Sequence, residues 1–141
     1  MSDDFLHPVR TYYEDTDAGG IVYHATYLRW AERARTEALR SIGLPHAEMA
    51  SQAGAMLVVK RIEVEYAKPA RLDDLVTVRT RVRHVGAALD LDQDVLLNDE
   101  ILAALKVRLV CVGAAGLRPR PVPEPWRSAL RARIASPENA A

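Results

Sequence analysis

The sequence holds one cysteine, Cys111, so no disulfide can staple the chain from within. That residue sits in the apolar run Val110-Cys111-Val112, where a small buried thiol is expected rather than a nucleophile. An excess of either charge is also lacking: 19 basic residues face 19 acidic ones, which leaves no net field toward nucleic acid or anionic lipid. No apolar run approaches the length that spans a bilayer. The start, Met1-Ser2-Asp3-Asp4, is acidic where a signal peptide is basic and then apolar. The expectation is therefore a cytoplasmic protein with no nucleic-acid partner and no membrane insertion. There is no internal repeat, Gly-x-Ser-x-Gly, Cys-x-x-Cys or phosphate loop, and His7, His46 and His84 have no metal-ligand spacing. Serine-hydrolase, zinc and nucleotide chemistry thus lose support, and no cofactor is expected.

What remains is about one domain's worth of chain, large enough to bury roughly two-thirds of its unfolded surface without a staple. Residues His7 to Asp15 read as a short strand entering a glycine turn, Asp15-Thr16-Asp17-Ala18-Gly19-Gly20. A helix is expected from about Tyr23 to Ile42, because Tyr27, Ala31, Ala34, Ala38 and Ile42 form one apolar stripe. Its alanines suit a helix lying close against a sheet. Gly43 is placed to end it as a left-handed cap, with Leu44 set to touch Leu39 and Pro45 blocking continuation.

From Ala55 to Gly113 the pattern is strand. Ile62, Val64 and Tyr66 alternate with Arg61, Glu63 and Glu65, and Lys60 falls oddly on the apolar parity. A two-residue type II′ turn at Gly86-Ala87 sets Val85 against Ala88, Val82 against Leu91 and Val78 against Val95. It also sets Arg83 against Asp90, Arg81 against Asp92 and Arg79 against Asp94, so this arginine stripe reads as a charge-paired, solvated sheet face. A two-residue loop at Asn98-Asp99 would put Lys106 and Arg108 on the apolar face. A three-residue loop, Asn98-Asp99-Glu100, is therefore expected, pairing Leu97 with Ile101 and Leu91 with Val107. The order of long helix and antiparallel meander is an α+β pattern. After the prolines at 119, 121, 123 and 125, Trp126, Leu130 and Ile134 suggest a short docked helix, with a frayed tail from Ser136.

The densest chemistry lies in Tyr13-Glu14-Asp15-Thr16-Asp17-Ala18-Gly19-Gly20-Ile21-Val22-Tyr23-His24. A calcium loop fails, because Thr26 stands where the bidentate glutamate belongs. A phosphatase-like aspartyl nucleophile would follow a buried apolar strand, whereas Tyr12-Tyr13-Glu14 precedes this one. Two readings stay open. Asp15 and Asp17 can be turn-formers and caps. Alternatively, a helix N-terminus can polarise a docked carbonyl while a carboxylate attacks it or activates water.

The run from Tyr13 through Tyr27-Leu28 to Glu32-Arg33-Ala34-Arg35 resembles the YbgC-type acyl-CoA thioesterases, in the 4-hydroxybenzoyl-CoA thioesterase branch of the hotdog superfamily. The segment Tyr66-Ala67-Lys68-Pro69-Ala70-Arg71-Leu72-Asp73-Asp74 is similar to that family too, as is the element order from His7 to Pro123. The resemblance implies a hotdog fold over residues 1–125, a long helix wrapped by a curved antiparallel sheet, with 126–141 as a short helix and tail. It implies hydrolysis of an acyl-CoA substrate at a homodimer or homotetramer interface, with Asp17 the catalytic carboxylate and the amide near His24 polarising the carbonyl. Tyr13 and the His24 ring would support. It also leaves room for an acyl carrier protein or phospholipid-synthesis partner. Arg118 and Arg120, among prolines without nearby acids, are the candidates for coenzyme A phosphates. Arg35, one turn after Glu32, is expected in a structural ion pair at a subunit contact. Two rivals remain: a hotdog hydro-lyase on 3-hydroxyacyl thioesters using His24 and Asp17, and a non-catalytic binding protein associated with the envelope Tol-Pal machinery.

Overall fold

The structure, a computed structural model, describes residues 4–134. Five antiparallel strands, β1 (Phe5–Arg10), β2 (Ala55–Tyr66), β3 (Leu75–Val85), β4 (Ala88–Leu97) and β5 (Glu100–Gly113), form one sheet in the order β1-β3-β4-β5-β2. Helix α1 (Thr26–Ser41) lies on one face, α2 (His46–Ala53) bridges it to β2, and α3 (Trp126–Arg131) closes the described chain. This is the expected α+β hotdog arrangement.

The alanine stripe explains how α1 sits so close to the sheet: Tyr27, Ala31, Ala34 and Ala38 are all buried, together with Trp30 and Leu39. One polar link crosses this interface. Gln93, fully buried on β4, donates to the Ala31 carbonyl at 3.0 Å and to Thr80 Oγ1 at 2.9 Å, and accepts from Arg35 Nη1 at 2.9 Å. Arg35 thus turns to Gln93 instead of forming the expected ion pair with Glu32. Gly43 ends α1 at φ +74, its amide bonding Arg40 O while Leu44 N reaches Leu39 O, the double closure of a Schellman cap. Helix α2 escaped the sequence reading, being only eight residues long, although Pro45 before it and left-handed Gly54 after it mark both ends.

The hairpin registers hold through the sheet's middle and shift near three turns and kinks. Arg79↔Asp94, Arg81↔Asp92 and Val82↔Leu91 pair as expected. Beyond them Arg83 is an extra residue, so His84 faces Asp90 and Val85 faces Leu89. The expected II′ turn is therefore replaced by a longer loop, in which Gly86 and Ala87 offer their carbonyls to Val122 and Cys111. At the next turn Leu97 pairs with Glu100, and both Asn98 (φ 50) and Asp99 (φ 68) are left-handed, which is the two-residue type I′ connection. An irregularity at Leu102 then restores Leu91↔Val107, so the apolar faces still meet. Lys60 is explained the same way: it is the bulged residue between Val59↔Leu109 and Arg61↔Arg108. On the outer face Arg79, Arg83 and Arg108 bind Asp94, Asp92 and Asp90, while Arg81 takes Asp4.

The chain after Gly113 folds back, its Pro119 bridging to Val112, and buries Val122, Trp126 and Leu130. The Trp126 indole donates to the Leu44 carbonyl at 2.9 Å. The docked helix is present but ends at Arg131, and Ile134 beyond it stays over a third exposed at 36 %. The tail expected from Ser136 lies outside the described residues.

Candidate active site

The Asp17 loop is a small hairpin of its own. Thr16 and Val22 bridge, Asp17 N donates to Ile21 O at 3.0 Å, and Gly20, at φ +75, donates to Asp17 O at 3.0 Å. The side chain joins in: Gly19 N donates to Asp17 Oδ1 at 3.0 Å. That leaves Oδ2 without a donor among the described residues, on an exposed side chain. Asp15 is half-buried and occupied differently. Its Oδ2 accepts the Tyr12 amide at 2.8 Å and its carbonyl accepts the Tyr23 amide at 2.9 Å. The first aspartate thus shapes the turn, and the second presents a carboxylate oxygen.

The strand expected over residues 7–15 ends at Arg10, and Tyr13–Asp15 is a single 3-10 turn. Helix α1 likewise starts at Thr26, after a turn in which Thr26 N meets Tyr23 O at 2.9 Å. His24 therefore precedes the helix. Its amide and that of Ala25 find no acceptor among the described residues, and they stand at the helix's positive end. The His24 ring rests against Tyr23, with centroids 4.4 Å apart. Tyr13 is 81 % exposed, and its carbonyl accepts from Thr16 Oγ1 at 2.7 Å.

What steadies this loop is the segment 66–74, linked to it in the sequence only by family resemblance. Val22 N donates to Ala70 O at 2.9 Å, Ile21 bridges to Arg71, and Ala70 N donates to the Tyr27 hydroxyl at 2.9 Å. Tyr66, missed by the sequence reading, donates its hydroxyl to the His24 carbonyl at 2.7 Å and stands edge-on to Tyr27. Burial pushes both phenols above their ordinary pKa, so both stay protonated at neutral pH, Tyr66 donating and Tyr27 accepting.

Within one chain, Arg118 and Arg120 are not brought to this loop. Gly113 N donates to Arg118 O, and Gly113 pairs with Ala55, the first residue of β2, whereas Tyr66 is its last. Eleven residues of strand separate those ends by roughly 35 Å. Arg120 is also engaged, its Nη1 capping α2 through Ala53 O at 2.8 Å. Cys111 is fully buried with its thiol pKa raised by desolvation, as expected of a core thiol. Toward the Ala55 end of β2, a groove of about 260 Å³ runs between α1 and β2, lined by Arg35, Leu39, His46, Leu57 and Val59.

The family profile described as Thioesterase-like superfamily matches residues 12–130. The chain is 39% identical over 131 residues to the acyl-CoA thioesterase YbgC of Haemophilus influenzae, covering 92% of this chain and 96% of that one. It is 41% identical over 122 residues to the acyl-CoA thioester hydrolase YbgC of Escherichia coli, covering 85% and 90% respectively. Among solved structures, a probable thioesterase from Bartonella henselae superposes with a TM-score of 0.80 at 35% identity, over 85% of this chain and 99% of that one.

Proposed function

The chain belongs to the thioesterase-like superfamily and its YbgC-type branch, and from that premise we propose that it hydrolyses acyl-CoA thioesters. Water and the thioester give the free acid and coenzyme A. Asp17 is the catalytic carboxylate, either attacking the carbonyl carbon through Oδ2 to form an anhydride that water opens, or taking a proton from the attacking water. The carbonyl oxygen, as it gains charge, faces the His24 amide at the positive end of α1. Coenzyme A leaves as the thiolate and takes up a proton.

Two observations support this above all: Oδ1 of Asp17 is held by Gly19 while Oδ2 stays open, and the amides of His24 and Ala25, at the start of α1, have no acceptor among the described residues. The working unit in this reading is a homodimer or homotetramer. Strand β2 ends the sheet with an unpaired edge of twelve residues, on which Val59 and Tyr66 are 49% and 47% exposed. A second copy added antiparallel along that edge covers both and brings its own Ala55 end to this chain's Tyr66. The α1–β2 groove, whose outer side such a copy closes, takes the acyl chain.

Thiol release from a series of acyl-CoA thioesters of increasing chain length is the test. Enoyl formation from a 3-hydroxyacyl thioester would instead make the protein a hydro-lyase. If neither product forms and the thioester merely binds, the non-catalytic envelope-associated reading takes over.

A further inference from the structure

Of the 19 lysines and arginines, eight hold a carboxylate within ion-pair distance among the described residues, Arg40, Arg61, Lys68, Arg79, Arg81, Arg83, Arg108 and Arg127, and eleven do not. Among those eleven, Arg10, Arg29 and Arg33 share one place. They line a groove of about 280 Å³ between β1 and the first turns of α1, with His7 on one wall and Glu14 and Asp15 on the rim. None of the three arginines has a carboxylate partner among the described residues. Asp15 is already turned to the Tyr12 amide. Arg10 is steered by the Asp73 carbonyl at 2.8 Å, and Arg29 touches Thr26 Oγ1 at 3.3 Å.

This placement opposes local stability. Arg29 sits in the first turn of α1, which has no acidic residue, so the helix dipole disfavours it. Unpaired guanidinium groups beside a positive helix end suit a ligand carrying several negative charges, and their planar forks match phosphate oxygens. The groove also borders the catalytic loop, since Asp15 on its rim is two residues before Asp17.

We propose that the Arg10–Arg29–Arg33 groove holds the phosphate groups of coenzyme A while the thioester lies at Asp17. This rests on the hydrolysis reading above and names the part of the substrate that the groove grips. Contacts so remote from the reacting carbon bind ground and transition states alike, so they act on KM rather than kcat.

The test compares the full chain with Arg29→Gln/Arg33→Gln, and with Arg40→Gln as a control for helix charge. Each is assayed on an acyl-CoA and on the same acyl group carried by N-acetylcysteamine, which has no phosphate. Calorimetry measures binding of adenosine 3′,5′-bisphosphate, the doubly phosphorylated nucleoside of the coenzyme. The double variant is expected to raise KM for acyl-CoA roughly tenfold, the scale of one charge-assisted hydrogen bond. Its kcat, and both constants on the truncated thioester, should stay as they were, while bisphosphate affinity falls by a similar factor. Arg40→Gln should change none of these.

An unchanged KM together with unchanged bisphosphate binding overturns the proposal. So does an equal loss on the truncated thioester, or a KM effect that follows Arg118→Gln instead. A loss confined to acyl carrier protein thioesters would assign the groove to a protein partner and overturn it as well. If the unmodified chain hydrolyses no thioester, the hydrolysis reading fails. Bisphosphate binding that depends on Arg29 and Arg33 would still support the phosphate site, and its absence would overturn that too.

Discussion

The hydroxyl of Tyr66, at the end of β2, donates a 2.7 Å hydrogen bond to the carbonyl of His24, whose own amide has no acceptor among the described residues. One peptide group is thus gripped on its carbonyl side, next to the His24 N–H proposed above as the oxyanion donor. Tyr66→Phe removes only this grip. We expect stability to fall by about 1 kcal/mol and kcat by roughly tenfold, because a small misplacement of an oxyanion donor is costly. Steady-state kinetics with a denaturation curve check this, and an unchanged kcat would leave the His24 peptide positioned by something else.

The sheet's middle was legible in the sequence because two independent faces agreed there: Arg79 with Asp94 on one side, Val82 with Leu91 on the other. The bulges at Lys60, Arg83 and Leu102 were not, since one extra residue can be absorbed equally well by a longer turn. Only the off-parity Lys60 betrayed one of them. In the site, the Asp17 loop was legible from its concentration of acids and glycines. Its docking on Ala70 and Arg71, about fifty residues away, depends on tertiary packing that no local pattern carries. The Arg10–Arg29–Arg33 groove stayed hidden for the same reason, as it needs β1 laid beside α1.

The Asn98-Asp99 turn yields a stability prediction. Both residues are left-handed, at φ 50 and 68, a conformation that costs a non-glycine residue about 1 kcal/mol. Asp99→Gly relieves that strain and loses part of the gain to glycine's freer unfolded chain. The net expectation is a stabilisation of about 0.5 kcal/mol, read from chemical denaturation. A destabilised variant would mean that the Asp99 side chain holds the turn.

His46 gives stability a pH dependence. Its Nε2 accepts the Leu57 amide at 3.0 Å, and burial pushes its pKa below the ordinary 6.5. Above pH 6.5 the ring is neutral in both folded and unfolded chains, and the bond's contribution is complete. As pH falls from there through the lowered folded value, the unfolded chain binds the proton first, and stability is lost. His46→Gln keeps an acceptor without titrating. It should flatten the melting temperature across this window, and a wild-type slope surviving in the variant would place the titration elsewhere.

The unpaired β2 edge predicts association. In solution the active protein should have at least twice its 15.6 kDa chain mass. Val59→Asp puts a charge on the half-exposed apolar face beside Leu57, and should both dissociate the protein and abolish thiol release. Light scattering that finds an active monomer would refute the shared site.

The decisive contrast lies within one loop. Asp17→Asn retains Oδ1 to accept the Gly19 amide, so the turn and the fold should survive. It converts the open Oδ2 into an uncharged NH₂, which can neither attack a carbonyl nor take a proton from water. Turnover should therefore drop by about a hundredfold or more, the scale for losing a positioned base. Asp15→Asn retains an oxygen for the Tyr12 amide and leaves Asp17 untouched, so its effect should be far milder. Thiol release measured for both variants, with circular dichroism to show that each is folded, separates chemistry from architecture. Near-native turnover in a folded Asp17→Asn protein would reduce this aspartate to a turn-former, and the carboxylate for hydrolysis would have to come from elsewhere.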